Sequence, residues 1–174
     1  MNDVFPQVRT VLLTEAPVGS ILRIPRSQTL VYALVTDQIV DGVRTVVMLN
    51  AEIPNYPKVI FAQKWRLDER YLCYDKNVRF LLSMEEECVD DYGHDWWQTP
   101  GVIVSVGNQL LIRAAPMREF GYENTLVDIQ TGSVFDGAPP NGMFSFGAWQ
   151  LLIEDGATKR SFELCRQKIP KRQR

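Results

Sequence analysis

Apolar residues along this chain come in short runs, many of them β-branched or aromatic, several alternating with polar residues at a period of two. A period of two puts alternate side chains on opposite faces of a pleated strand, so the pattern predicts strands. The clearest unit is Leu30 to Thr36, a polar connection ending in Asp41-Gly42, then Arg44 to Leu49. Asp-Gly accepts the positive φ angles of a tight hairpin turn, and both arms carry residues that suit a pleated surface. Val102 to Val106 and Gln109 to Arg113 flank Gly107-Asn108 and predict a second hairpin. A third joins Ala148–Glu154 to Ser161–Leu164 through Asp155-Gly156-Ala157-Thr158. Further strands are expected at Val8–Thr14, Ile21–Ile24, Asn77–Leu82, Thr125–Gln130 and Ser133–Phe135.

This density of short strands predicts a mainly β fold, an antiparallel barrel or sandwich built from consecutive hairpins, with at most one or two short helices. Two stretches are ambiguous. Residues 57–70 read as a strand followed by a charged turn, with a helix as the alternative because Phe61 and Trp65 stand four apart. Ser83-Met84-Glu85-Glu86 matches a capping box and predicts one or two helical turns through Val89. The expected core contains Val31 or Tyr32 with its period-two partners, Val46, Met48, Val102, Val104, Leu110, Ile112, Trp149 and Leu151.

Gly19-Ser20-Ile21-Leu22-Arg23-Ile24 and Gly101-Val102-Ile103-Val104-Ser105-Val106 each follow a Pro-containing turn and precede a second apolar strand. The echo is what two related small barrels would leave, and also what hairpins in general look like. The Gly19–Pro25 opening followed by the 30–49 hairpin resembles SH3-like small barrels; the likeness concerns architecture and carries no function with it. The expected organisation is one compact β domain over 1–165, with an internal division near 83–100, and a flexible basic tail over 166–174.

Composition narrows the class. At 174 residues, 45% hydrophobic and 23% charged, the chain has the balance of a globular domain able to bury a core. The first residues lack a basic region followed by a long apolar run, so neither signal peptide nor membrane span is expected. Three cysteines, none in a CxxC pair, fit reduced thiols and a cytoplasmic location. The net charge of −2 hides a polarised distribution: residues 80–158 carry 2 Lys/Arg against 12 Asp/Glu, and residues 159–174 carry 7 against 1.

Nucleophile-elbow, phosphate-loop, dinucleotide and HExxH patterns do not occur, and His94 is the sole histidine. No cofactor or metal is expected. The candidate partner-binding residues lie in two segments. The first, residues 85–97, gathers Glu85, Glu86, Glu87, Asp90, Asp91 and Asp95 around His94 and Trp96 with no Lys or Arg between them. Adjacent acids diverge in direction and lack the spacing of a calcium loop, so they suit a surface that meets a basic partner better than a cation site. The second, 136–147, combines Pro139 and Pro140 with the apolar anchor Phe144.

The expected function is a non-catalytic protein-binding or assembly module presenting the acidic loop to a macromolecular partner. A protein partner or a homo-oligomer is favoured over a small molecule. The alternatives are a hydrolase using carboxylates near His94, and a nucleic-acid-binding protein led by the tail, whose clustered cations suit phosphates although the preceding block is acidic.

Overall fold

The computed structural model describes residues 8–26, 29–62, 69–84, 87–89, 99–116, 125–137, 143–156 and 158–169. The described residues are 61% strand and 3% helix, so the mainly β expectation holds. In chain order the strands begin with β1 (Arg9–Leu12), β2 (Ile21–Arg26), β3 (Thr29–Val40), β4 (Val43–Met48) and β5 (Ile60–Ala62). Next come β6 (Arg70–Tyr74), β7 (Val78–Leu82), β8 (Glu87–Val89), β9 (Ile103–Val106) and β10 (Gln109–Pro116). The last are β11 (Thr125–Asp128), β12 (Val134–Phe135), β13 (Phe144–Phe146), β14 (Ala148–Glu154) and β15 (Ser161–Lys168). The helical content is local, chiefly the 3-10 turn Leu13–Glu15.

The three expected hairpins are present, two of them for the reason their turns suggest. Asp41 and Gly42 take φ 53° and 77°, the double positive φ of a primed turn between β3 and β4. Gly107, at φ 59°, opens the two-residue loop between β9 and β10. β3 runs on through the stretch read as a polar connection, with a bulge between Val35 and Ile39. Buried Thr36 and Thr45 satisfy that irregularity: their hydroxyls bond each other, and the Thr45 hydroxyl donates to the Gln38 carbonyl at 3.2 Å.

Strand pairing reveals one topology used twice. Residues from β1 to β6 pair in the order β1-β6-β2-β3-β4-β5, and those from β8 to β13 in the order β8-β13-β9-β10-β11-β12. Register matches as well as order. Ile21 faces Leu34 and Tyr74 as Ile103 faces Ile112 and Phe146, and Val47 faces Phe61 as Val127 faces Val134. The turn before the second strand is built identically: Gly19 N donates to Val35 O at 2.9 Å as Gly101 N donates to Arg113 O at 2.7 Å. Ser20 N bonds Pro17 O at 3.1 Å as Val102 N bonds Thr99 O at 3.1 Å. Both glycines need positive φ, 82° and 94°, which is why glycine stands at each.

The seventh strands of the two repeats, β7 and β14, pair with each other antiparallel, with Phe80 opposite Leu151. Val78 faces Ile153 as Trp149 faces Leu82, so an approximate two-fold axis passes between Phe80 and Leu151. β15 adds an odd strand beside β14. The repeats also interlock reciprocally. Ala115 N donates to Val59 O at 3.1 Å, and at the matching register position Asp37 N donates to Gly132 O at 3.1 Å. The first of these belongs to the parallel pairing of β5 with β10, the one departure from the antiparallel expectation among the described strands.

The sheets do not close into barrels: β1 and β8 pair neither β5 nor β12, so the architecture is sandwich-like. Three apolar layers result. An inner core of the first repeat gathers Val11, Leu22, Val31, Ala33, Val35, Val46, Met48 and Tyr71. A smaller one in the second gathers Val102, Val104, Leu111, Leu126, Met143 and Ile169. Between them Tyr32, Leu34, Val47 and Phe61 meet Ile103, Ile112, Val127, Trp149 and Leu151. β3 and β4 are therefore buried on both faces, each well-buried aliphatic side chain contributing on the order of 2 kcal/mol. Only one face was expected to be covered.

Other expectations need correction. Glu87–Val89 is a strand, not helix, because it finds a pairing partner in β13 that a local capping pattern cannot anticipate. Leu110 is half-buried, while its neighbour Leu111 is fully enclosed. β15 runs past Cys165 to Lys168, and Ile169 is buried, its amide bonded to Gly147 O at 2.8 Å. Within residues 57–70, Ile60–Ala62 forms strand β5, in line with the strand-then-turn reading, and Arg70 opens β6, a strand the sequence pattern did not reveal; 63–68 lie outside the described residues. No helix among the described residues is long and apolar enough to cross a membrane.

Candidate functional site

β8 is the last strand of the large sheet, and β13 lies between it and β9. Their register sets Phe144 opposite Val89, Ser145 opposite Cys88 and Phe146 opposite Glu87. Glu87–Val89, from the 85–97 segment singled out in the sequence, and Phe144–Phe146, from the 136–147 segment, are thus adjacent strands at the end of the sheet. Within the second segment Phe144 is 46% exposed, whereas Met143, Ser145 and Phe146 are buried. Phe144 is an outward apolar side chain beside the start of the acidic block. Of the other candidates, Glu85, Glu86, Asp90, Asp91, His94, Asp95, Trp96, Pro139 and Pro140 lie outside the described residues, and of Glu87 only the backbone is described.

Lys168 and Ile169, the last described residues, meet the chain just past β13. Lys168 pairs with Ala148, and the Ile169 amide bonds Gly147, the residue that follows β13. Along β15, Arg166 is held by Glu163 at 2.6 Å, an exposed pair that raises the arginine's proton affinity and adds little to stability.

The Cys73 and Cys165 thiols are enclosed. Burial pushes the Cys165 thiol up to about 12, helped by the neighbouring Glu163 carboxylate, and burial likewise raises Cys73. Both are free thiols held in the protonated, unreactive form. Tyr32 is raised from its ordinary value by burial, and Tyr74 beside it adds to the effect, their rings 6.4 Å apart. Asp128, buried at 3% exposure, accepts from Gln130 N at 2.8 Å and Thr131 N at 3.0 Å, which fixes the turn between β11 and β12. No group of three His, Cys, Asp or Glu side chains suited to a metal ion occurs among the described residues.

Sequence reasoning missed a cleft of about 300 Å³ between the repeats, walled by Ile21, Tyr74, Val78, Leu110 and Ile129, with Gly19, Lys76 and Gln130 also lining it. Its residues come from separate stretches of chain, so no local motif marks it; the turn Asp75-Lys76-Asn77 was the nearest signal. Compared with protein-family models, curated proteins and solved structures, the chain matches none.

Proposed function

We propose that the protein is a non-catalytic binding or assembly module whose β8–β13 edge, with the acidic 85–97 segment and the 136–147 loop, receives a basic protein partner. The observation that carries the reading is the pairing of Phe144–Phe146 with Glu87–Val89, which draws both candidate segments to one edge. Edge strands offer unpaired backbone groups to an incoming strand, and an exposed phenylalanine beside them offers an apolar anchor. Six carboxylates within residues 85–95 repel one another in the free protein, and a basic partner relieves that repulsion.

The test is capture of partners by the intact protein, followed by association kinetics at two salt concentrations. Asp90→Asn/Asp91→Asn/Asp95→Asn is expected to slow association at low salt by about tenfold and to lose that effect at high salt. Phe144→Ser is expected to hasten dissociation instead. Association and dissociation rates unchanged in both variants would refute the reading.

A further inference from the structure

The two-fold relation between the repeats exposes a difference beside the two turn glycines. In the second repeat the first inward residue of the seventh strand is Trp149, 2% exposed, whose indole Nε1–H donates to the Gly101 carbonyl at 2.7 Å. In the first repeat the matching residue is Val78 and the matching glycine is Gly19. Both line the 300 Å³ cleft. The cleft therefore takes the place that an indole fills in the other half. Gly19 and Gly101 share positive φ and the same partners on either side, so their carbonyls hold equivalent places. No described group donates to the Gly19 carbonyl.

The remaining walls suit the same kind of guest. Ile21, Leu110 and Ile129 are apolar, and Tyr74 stands where Phe146 stands in the second repeat. At the mouth, Asp75 is held by Arg9 at 3.0 Å and Arg79 lies 3.7 Å from Glu154, while Lys76 makes no ion pair among the described residues. The uncommitted charge is positive. A volume of about 300 Å³ lies at the small end of ligand sites and holds one ring system with a short arm.

We propose that this cleft binds a small nitrogen heteroaromatic acid, its ring N–H donating to the Gly19 carbonyl and its anionic group lying against Lys76. This goes beyond the partner-binding edge and does not depend on it.

Calorimetric titration of the intact protein with indole, 1-methylindole and indole-3-acetate tests it. Indole is expected to bind about tenfold more tightly than 1-methylindole, which lacks the donor. Indole-3-acetate is expected to gain about threefold over indole, and Lys76→Ala to erase that gain. Val78→Trp supplies the ring covalently and is expected to abolish binding of all three probes while the protein stays folded. Equal affinities for indole and 1-methylindole, no saturable binding at millimolar indole, or a folded Val78→Trp protein that binds indole like wild type would each overturn the proposal. The comparison of indole with 1-methylindole uses the unaltered protein, so it decides the matter even where Val78→Trp does not fold.

Discussion

The first repeat closes its inner core with side chains of its own strands and connections, from Val11 to Cys73. The second encloses a smaller core and recruits Ile169 from beyond its seventh strand. Backbone is what the two halves share: strand order, register, the positive-φ glycine and the hydrogen bonds around it. Side chains have gone separate ways. At matched positions a buried Val35 stands against a buried Arg113, and Val78 against Trp149. The difference teaches that this topology is specified by turn geometry and inward-outward alternation, and tolerates large changes in what fills each position.

The sharpest way to break the comparison is at the seventh strands. Trp149→Ala removes the indole, its bond to Gly101 and its edge contact with Phe80 at 5.3 Å, and is expected to cost about 3–5 kcal/mol. Val78→Ala at the matching position is expected to cost about 1 kcal/mol. Urea denaturation of both measures the asymmetry; equal losses would mean that the two positions are not counterparts.

Next in size, Ile169→Ala is expected to cost about 2–4 kcal/mol, because the second inner core depends on that side chain. Removal of residues 170–174 is expected to change the midpoint by no more than a surface substitution does, about 0.5 kcal/mol. A silent Ile169→Ala would show that the second repeat needs no help from the end of the chain.

Gly132→Ala is expected to cost about 2–3 kcal/mol: φ is 74°, and an added Cβ would lie 2.3 Å from the Val35 carbonyl and 2.6 Å from the Gly19 amide, backbone atoms that cannot swing aside. Gly107→Ala, at φ 59° with nothing within 4 Å, is expected to cost only about 1 kcal/mol. Similar values for both would mean that the repeats do not approach each other so closely at Gly132.

The last effect appears only in alkali. Cys165 is raised from its ordinary value of 9.0 to about 12 in the folded protein, so the native state keeps a proton that the unfolded chain gives up. Its contribution is constant below about pH 9, and stability falls as pH rises from there toward 12. Cys165→Val is expected to flatten that decline in a series of denaturation midpoints between pH 8 and 11 (about the range where both states stay tractable). An identical slope in the variant would remove Cys165 as its source.

Much of this architecture was legible before any coordinates. Asp41-Gly42 and Gly107-Asn108 mark their hairpins because turn chemistry is local. The Gly19 and Gly101 echo marked the repeat, although alternation alone could not separate it from ordinary hairpin look-alikes. Burial of both faces of β3 was not legible, since a run such as Leu30 to Val35 reads the same whether one face or two are covered. β8 was hidden because Ser83 and Glu86 satisfy a helix-start pattern, while its actual partner lies more than fifty residues downstream. The acidic segment and Phe144 were each visible as unusual, but their adjacency was not. The cleft could not be read at all: it is defined by a side chain that Val78 does not have, and only Trp149 in the other repeat gives that lack a shape.

The reciprocal bonds from Ala115 to Val59 and from Asp37 to Gly132 have a consequence for synthesis on the ribosome. When the first seven strands have emerged, β5 still lacks the neighbour that β10 will provide, and Asp37 lacks the turn at Gly132. The nascent first half therefore exposes Tyr32, Leu34, Val47 and Phe61, the face meant for the second half, until residues near 130 have left the exit tunnel. Pairings between such distant segments form slowly, and exposed strand edges invite mispairing meanwhile. Chain growth that stalls between the repeats would leave a species prone to associate with a second copy of itself, the same seven strands standing in for the half that has not arrived.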